Sequence, residues 1–300
     1  MFHKIFFLTI FPFLLFAQQD SFFSLYRFNM NIINPAFAGS EGQNIVSINS
    51  RNQWVSIENA PKNQLLILSS PRKNNVGLGF SVISSKFFIE QNTTTYIDFS
   101  YKLNVSDETS LFLGLKGGAS FYKADISGLG SSNSVLDPAQ KAISSFSPNF
   151  GIGALLKSAN YWISLSIPRL FSSENDLNFI STDRVHSYLA AGFNIELSND
   201  FILKPSFLSR KVKDLPITHE LSTHLEFKKL FQVGSFYRTN KTLGAVIFTS
   251  YKNIIDIGYA YELPTDNTLS NLSLKNHEIF LRFKFGESIG EEEVSQELSE

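Results

Sequence analysis

Apolar and polar residues alternate along most of this chain. In the stretch TYIDFSYKLNV, Thr95, Ile97, Phe99, Tyr101, Leu103 and Val105 fall on one face, and Tyr96, Asp98, Ser100, Lys102 and Asn104 on the other. The same period of two recurs in Leu111/Leu113/Leu115, Leu189/Ala191/Phe193/Ile195, Ile255/Ile257/Tyr259/Tyr261 and Ile279/Leu281/Phe283/Phe285. Successive side chains of a strand point to opposite faces, so each segment predicts a β-strand with one apolar and one polar face. The pattern predicts fourteen strands at about 43–56, 63–70, 75–87, 92–105, 109–123, 146–157, 160–168, 186–198, 201–213, 218–228, 230–239, 242–251, 253–263 and 275–285. Short polar turns such as PRKNN, SDE, KSAN and SND separate many of them, while 124–145, 171–185 and 264–275 are longer.

A soluble sandwich also alternates, and length argues against it. Many segments run to about ten residues or more, enough to cross a bilayer at a tilt, where soluble strands average about five or six. The polar faces carry Gly, Ser and isolated charges, as a lumen does. Aromatics gather at segment ends (Phe87 with Phe88, Phe121 with Tyr122, Tyr161 with Trp162), as in an interfacial girdle. The fold class predicted is all-β: a single transmembrane antiparallel barrel over 43–286, its longer connections outside the cell and its short turns in the periplasm.

The ends of the chain add to this picture. Residues 1–17 combine Lys4, an apolar core from Ile5 to Phe16 and the small Ala17, the build of a secretory signal peptide. Residues 18–42 form an expected N-terminal periplasmic or plug-like segment. After Gly286 the texture becomes acidic, with six Glu and no basic residue over 287–300, which predicts a solvated tail. The chain has no cysteine, which excludes a disulfide scaffold and a thiolate site. A net charge of −1 provides no field to recruit nucleic acid, so no nucleic-acid partner is expected.

One stretch calls for separate treatment: NPAFAGSEGQNIVSINSRNQW, residues 34–54. Pro35 biases Asn34 away from helix, Gly39 allows a positive φ, and Ala36 and Ala38 permit close approach of backbones. Phe37 is a candidate apolar anchor in the periplasmic mouth, against the plainer expectation that the loop caps the barrel end. Arg51 and Gln53 are expected to face polar neighbours inside, with Trp54 near an interface. In order and spacing, Asn34-Pro35-Ala36-Phe37-Ala38-Gly39, then Arg51, Gln53 and Trp54, then Ala60-Pro61, with HEIFLRFKF near the end, resemble the PorP/SprF family. Those are outer-membrane proteins of the type IX secretion and gliding apparatus of Bacteroidetes. The resemblance implies a non-enzymatic outer-membrane component that assists export or surface attachment of a cargo such as an adhesin. Implied partners are outer-membrane lipid, the cargo, and ring or peptidoglycan-linked components on the periplasmic side.

Other chemistry is sparse. His219 and His224 are five apart and point to opposite faces of a strand, and no H-E-x-x-H, G-x-S-x-G or phosphate-cradling loop is present. No enzyme, cofactor or metal site is expected. The serious rival is a passive porin. Lumen-side Asp98, Lys102, Lys116, Lys157, Lys204, Glu220, Glu226, Asp256, Arg282 and Lys284 mix both signs. They could line a channel or pair across a filled lumen.

Overall fold

A computed structural model describes residues 23–55, 57–125, 143–171, 184–265 and 275–286. The expected signal peptide, the core of each longer loop and the acidic tail lie outside the described residues. Fourteen antiparallel strands form one closed barrel. They are β1 (Asn44–Gln53), β2 (Lys62–Pro71), β3 (Val76–Phe87), β4 (Glu90–Asn104), β5 (Thr109–Ala124), β6 (Ile143–Ser158) and β7 (Tyr161–Arg169). Then come β8 (His186–Phe193, resumed after Asn194 by Ile195–Glu196), β9 (Phe201–Val212), β10 (Thr218–Phe227), β11 (Phe231–Arg238), β12 (Thr242–Tyr251), β13 (Ile255–Pro264) and β14 (Asn276–Phe285). Each strand pairs with its sequence neighbours, and β14 returns to β1 in unbroken register from Asn44 opposite Phe285 to Gln53 opposite Asn276. Closure leaves no edge along that seam.

The burial pattern is that of a globular protein turned inside out. Ile97, Leu115, Leu165 and Leu221 are each about 60% exposed, whereas Ser47, Asp98, Asp256 and Glu278 are wholly buried. A soluble sandwich would hide the first group and hydrate the second. Here the apolar parity faces lipid and the polar parity faces the lumen, as in a membrane barrel.

The two ends of the barrel differ. At one end the connections are short: 72–75, 105–108, 159–160, 197–200, 228–230 and 252–254. Consecutive left-handed residues at Asn74–Asn75, Lys228–Lys229 and Lys252–Asn253 give some of these the primed-turn twist that tight hairpins need. Asn44 and Phe285 lie at this end too. Outer-membrane barrels keep their short turns in the periplasm, so the other end, with the connections 125–142, 170–185 and 265–275, faces outward.

Before β1 the chain does not lie across the barrel end. Residues 23–42 occupy the lumen as a string of three short 3-10 turns, Tyr26–Phe28, Met30–Ile32 and Pro35–Phe37. Ser24 and Leu25 meet the outward ends of β13 and β14, and Gly39 to Glu41 meet the turn end. The segment therefore runs down the barrel from its outward half to the periplasmic side.

Candidate functional site: the plugged lumen

The periplasmic half of the plug is seated by shape. The Asn34 side chain accepts from the Ala36 amide at 2.9 Å, capping the turn that Pro35 opens. Its amide nitrogen donates outward to the Ala154 carbonyl at 2.9 Å and to Ser164 Oγ at 2.8 Å, tying the loop to β6 and β7. Ala36 and Ala38 have no exposed surface. The reason lies in the wall. A side chain on Gly114 would overlap the Pro35–Ala36 peptide, one on Gly77 the Ala38 carbonyl, and one on Gly153 the Asn34 side chain. These glycines make room for the plug's backbone. Gly39, at φ +68°, turns the chain out over β2 and β3.

Buried peptide groups need partners, and the wall supplies them. Lys116 donates to the Asn31 carbonyl at 3.0 Å, Ser166 to Ile33 at 2.6 Å, Ser100 to Ala38 at 2.6 Å and Lys157 to Ser40 at 2.7 Å. Ser69 accepts from the Gly39 amide at 2.9 Å. Phe37 is half-buried, edge-on to Trp162 with centroids 6.0 Å apart. Trp162, expected in an interfacial girdle, packs inward on the plug, and Tyr122 is likewise buried.

The outward half is held by charge. Arg51 forms ion pairs with both Glu262 and Glu278. Arg238 pairs with Glu220 at 2.6 Å and approaches Glu262 at 3.5 Å. Glu278 accepts from the Ser24 amide at 2.7 Å, the Leu25 amide at 2.9 Å and Asn49 at 2.8 Å, while Ser24 Oγ donates to Glu262. An isolated ion buried here would cost several kcal/mol, about what partners in this arrangement must offset. Next to this cluster Phe28 stacks on Phe248 at 4.3 Å and 3°, in a pocket with Leu25, Phe236, Val246 and Phe280. Phe23, Tyr26, Met30 and Ile33 pack on Leu65, Ile67, Tyr188 and Leu208.

The charges left open by sequence as channel lining or cross-lumen pairs are largely paired. Asp98 meets Lys116 at 2.7 Å, Lys204 meets Glu226 at 2.6 Å, Asp256 meets Lys284 at 2.9 Å, and Arg282 meets the plug's Glu41 at 3.0 Å. One cavity beside the plug at Phe28–Asn31 and another beside Glu220 and Arg238 each have a volume of about 10 Å³, room for roughly one water. His219 faces outward on Phe207 while His224 lies in the lumen beside Phe28.

The motif residues divide between the two ends. Asn34 to Gly39 seat the plug on the periplasmic half. Arg51 joins the carboxylates. Gln53, Trp54, Ala60 and Pro61 form the outward β1–β2 connection, where Gln53 N–H donates to the Pro61 carbonyl at 3.0 Å and Trp54 N–H to that of Lys275 at 2.9 Å. Trp54 is half-buried, at φ 49°, edge-on to Phe87. Sequence reasoning missed Ser24, Phe28, Arg238, Glu262 and Glu278. The available signal was parity: Glu262 and Glu278 are acids on the lumen-facing positions of outwardly apolar strands.

The family model described as type IX secretion system membrane protein PorP/SprF matches residues 15–283. The chain belongs to the PorP/SprF family. A PorP/SprF protein with this wall is an outer-membrane β-barrel of the type IX secretion system, and neither family nor fold is that of a known enzyme class. Among solved structures the barrel is similar to the CymD monoaromatic hydrocarbon channel, at 12% identity and TM-score 0.51, covering 86% of this chain and 92% of that one. It is also similar to the toluene transporter TodX of P. putida, at 8% identity and TM-score 0.52, covering 86% and 94%. At such identities the likeness concerns fold. Comparison with curated proteins gives no match.

Proposed function

We propose that this PorP/SprF protein is a plugged, non-conducting scaffold that helps a cargo protein, such as an adhesin, to be exported or held at the cell surface. One observation carries the reading: residues 23–42 fill the lumen and most of the wall's lumen-side charges are spent on pairs and on the plug. A solute path would need some of those charges and some of that volume. The scaffold's contacts are then its two ends. Cargo is recognised on the outward side, by loops around 124–145 and 171–185, and ring or peptidoglycan-linked components bind the short turns. Affinity isolation in mild detergent, with planar-bilayer conductance on the same preparation, tests this. The expected result is a co-purifying secreted protein and no steady open-pore current. Steady current with nothing co-purified would overturn it in favour of a small-solute channel, the reading that the hydrocarbon-channel likeness of the fold suggests.

A further inference from the structure

The lipid-facing wall of β2 to β5 carries a row of lysines at its outward end. Lys62 lies directly opposite Lys86, Lys86 opposite Gln91, Gln91 opposite Lys123, and Lys123 opposite Ser144 at the start of β6. All five side chains are exposed. They share parity with the lipid-facing residues of the rungs below. The next lipid-facing rung down is Gln64, Ser84, Thr93, Phe121 and Phe146, whose two phenyl rings touch at 4.9 Å. Two rungs further down come Leu68, Phe80, Ile97, Gly117 and Phe150, within the apolar band. The row therefore sits just above that band, at the level of the outer-leaflet headgroups.

Snorkelling explains a single lysine at such a height. It does not explain two in direct cross-strand register, where like charges about 5 Å apart repel and destabilise the pair. Within β2 to β5 no acid relieves them, and Asp125, exposed just past β5, stands near Lys123 alone. The acids of β2 to β5 are Glu90 and Asp98, both on the lumen-facing parity, and none of the three lysines has an ion pair among the described residues. Among the described residues the Lys62–Lys86 pair has no counter-charge, and an anion arriving on the lipid side would supply one.

We propose that Lys62, Lys86 and Lys123 bind the phosphates of an anionic glycolipid headgroup of the outer leaflet. Lys62 and Lys86 bracket one phosphate. Lys123, two strand spacings or about 10 Å from Lys86, takes a second, with Gln91 and Ser144 as neutral donors between and beside them. A headgroup with two separated phosphates fits this spacing.

Full-length protein in lipid-A-free detergent would be titrated with bisphosphorylated lipid A, the same lipid after enzymatic removal of its phosphates, and inorganic phosphate. Native mass spectrometry reads bound lipid and thermal unfolding reads the gain in stability. At least tenfold tighter binding of the phosphorylated lipid is expected, with no comparable shift from inorganic phosphate. The preference should vanish in Lys62→Gln/Lys86→Gln/Lys123→Gln and persist in the corresponding triple Arg variant. The wild-type comparison stands alone if the Gln variant does not fold. Equal binding of the dephosphorylated lipid, or an undiminished preference in a folded Gln variant, would overturn the proposal. So would an equal response to inorganic phosphate or to a poly-glutamate peptide, the latter reassigning the row to an acidic protein partner.

Discussion

The plug is held at its two ends by different physics. At the outward end, Ser24 and Leu25 offer backbone amides to Glu278, a carboxylate already shared with Arg51 and linked through Glu262 to Arg238. At the periplasmic end, Ala36 and Ala38 press their backbones onto Gly114 and Gly77, with hydrogen bonds from neutral Ser100 and Asn34, and only beyond this seat do Lys157 and Arg282 reach Ser40 and Glu41. The first attachment is strong only while every charge has its partner. The second depends on the absence of side-chain atoms. A charged anchorage fails as a unit when one member is lost, whereas a steric seat fails in proportion to what is inserted into it.

The largest effect should come from removing both anchorages at once. Deleting residues 23–40 takes the plug out of the lumen, and planar-bilayer recordings are expected to change from silent to a steady open current. A deletion variant that folds and stays silent would show that the wall closes the lumen without the plug.

Within the intact chain, the charged end should be the more fragile. Arg51→Ala leaves Glu262 and Glu278 buried with their shared cation gone, and a loss of about 3–5 kcal/mol is expected from urea unfolding in lipid vesicles followed by tryptophan fluorescence. Replacing Arg51, Glu262 and Glu278 together by Met, Gln and Gln should recover much of that loss, since no uncompensated charge then remains. If the triple variant were as unstable as the single one, shape and not charge would govern this end as well.

At the steric end, Gly114→Val places two methyls against the Pro35–Ala36 peptide. A cost of about 1–3 kcal/mol is expected by the same unfolding measurement. The same substitution at Gly117, where an added Cβ meets only the Phe150 ring at 3.8 Å on the lipid face, should be nearly neutral. Two glycines three positions apart on one strand thus separate plug accommodation from wall curvature.

These contrasts mark what the sequence made legible. The wall was legible because a strand repeats every two residues: each of the fourteen predicted strands appears, with no boundary displaced by more than about three residues. The inward place of Arg51 followed from the same parity. The plug was not legible in this way, because residues 23–33 form short 3-10 turns whose apolar residues follow no single period. Nor could local pattern pair Arg51 with Glu262 and Glu278, more than two hundred residues away, since that pairing depends on β14 closing onto β1. The glycines were visible but ambiguous: Gly114 and Gly117 differ only in face, and what faces Gly114 is contributed by a segment about eighty residues earlier in the chain.

The smallest effect tests whether the neutral hydrogen bonds of the periplasmic seat matter beyond shape. Ser100 Oγ donates to the Ala38 carbonyl at 2.6 Å, with both residues buried. Ser100→Ala removes that donor without adding volume, so a steric seat should survive it. The expected loss is about 0.5–1.5 kcal/mol, the ordinary net value of one hydrogen bond, with bilayer recordings still silent. A loss as large as that of Arg51→Ala, or the appearance of current, would mean that the periplasmic seat also rests on polar partners. The contrast between a charged latch above and a shaped seat below would then fail at its lower end.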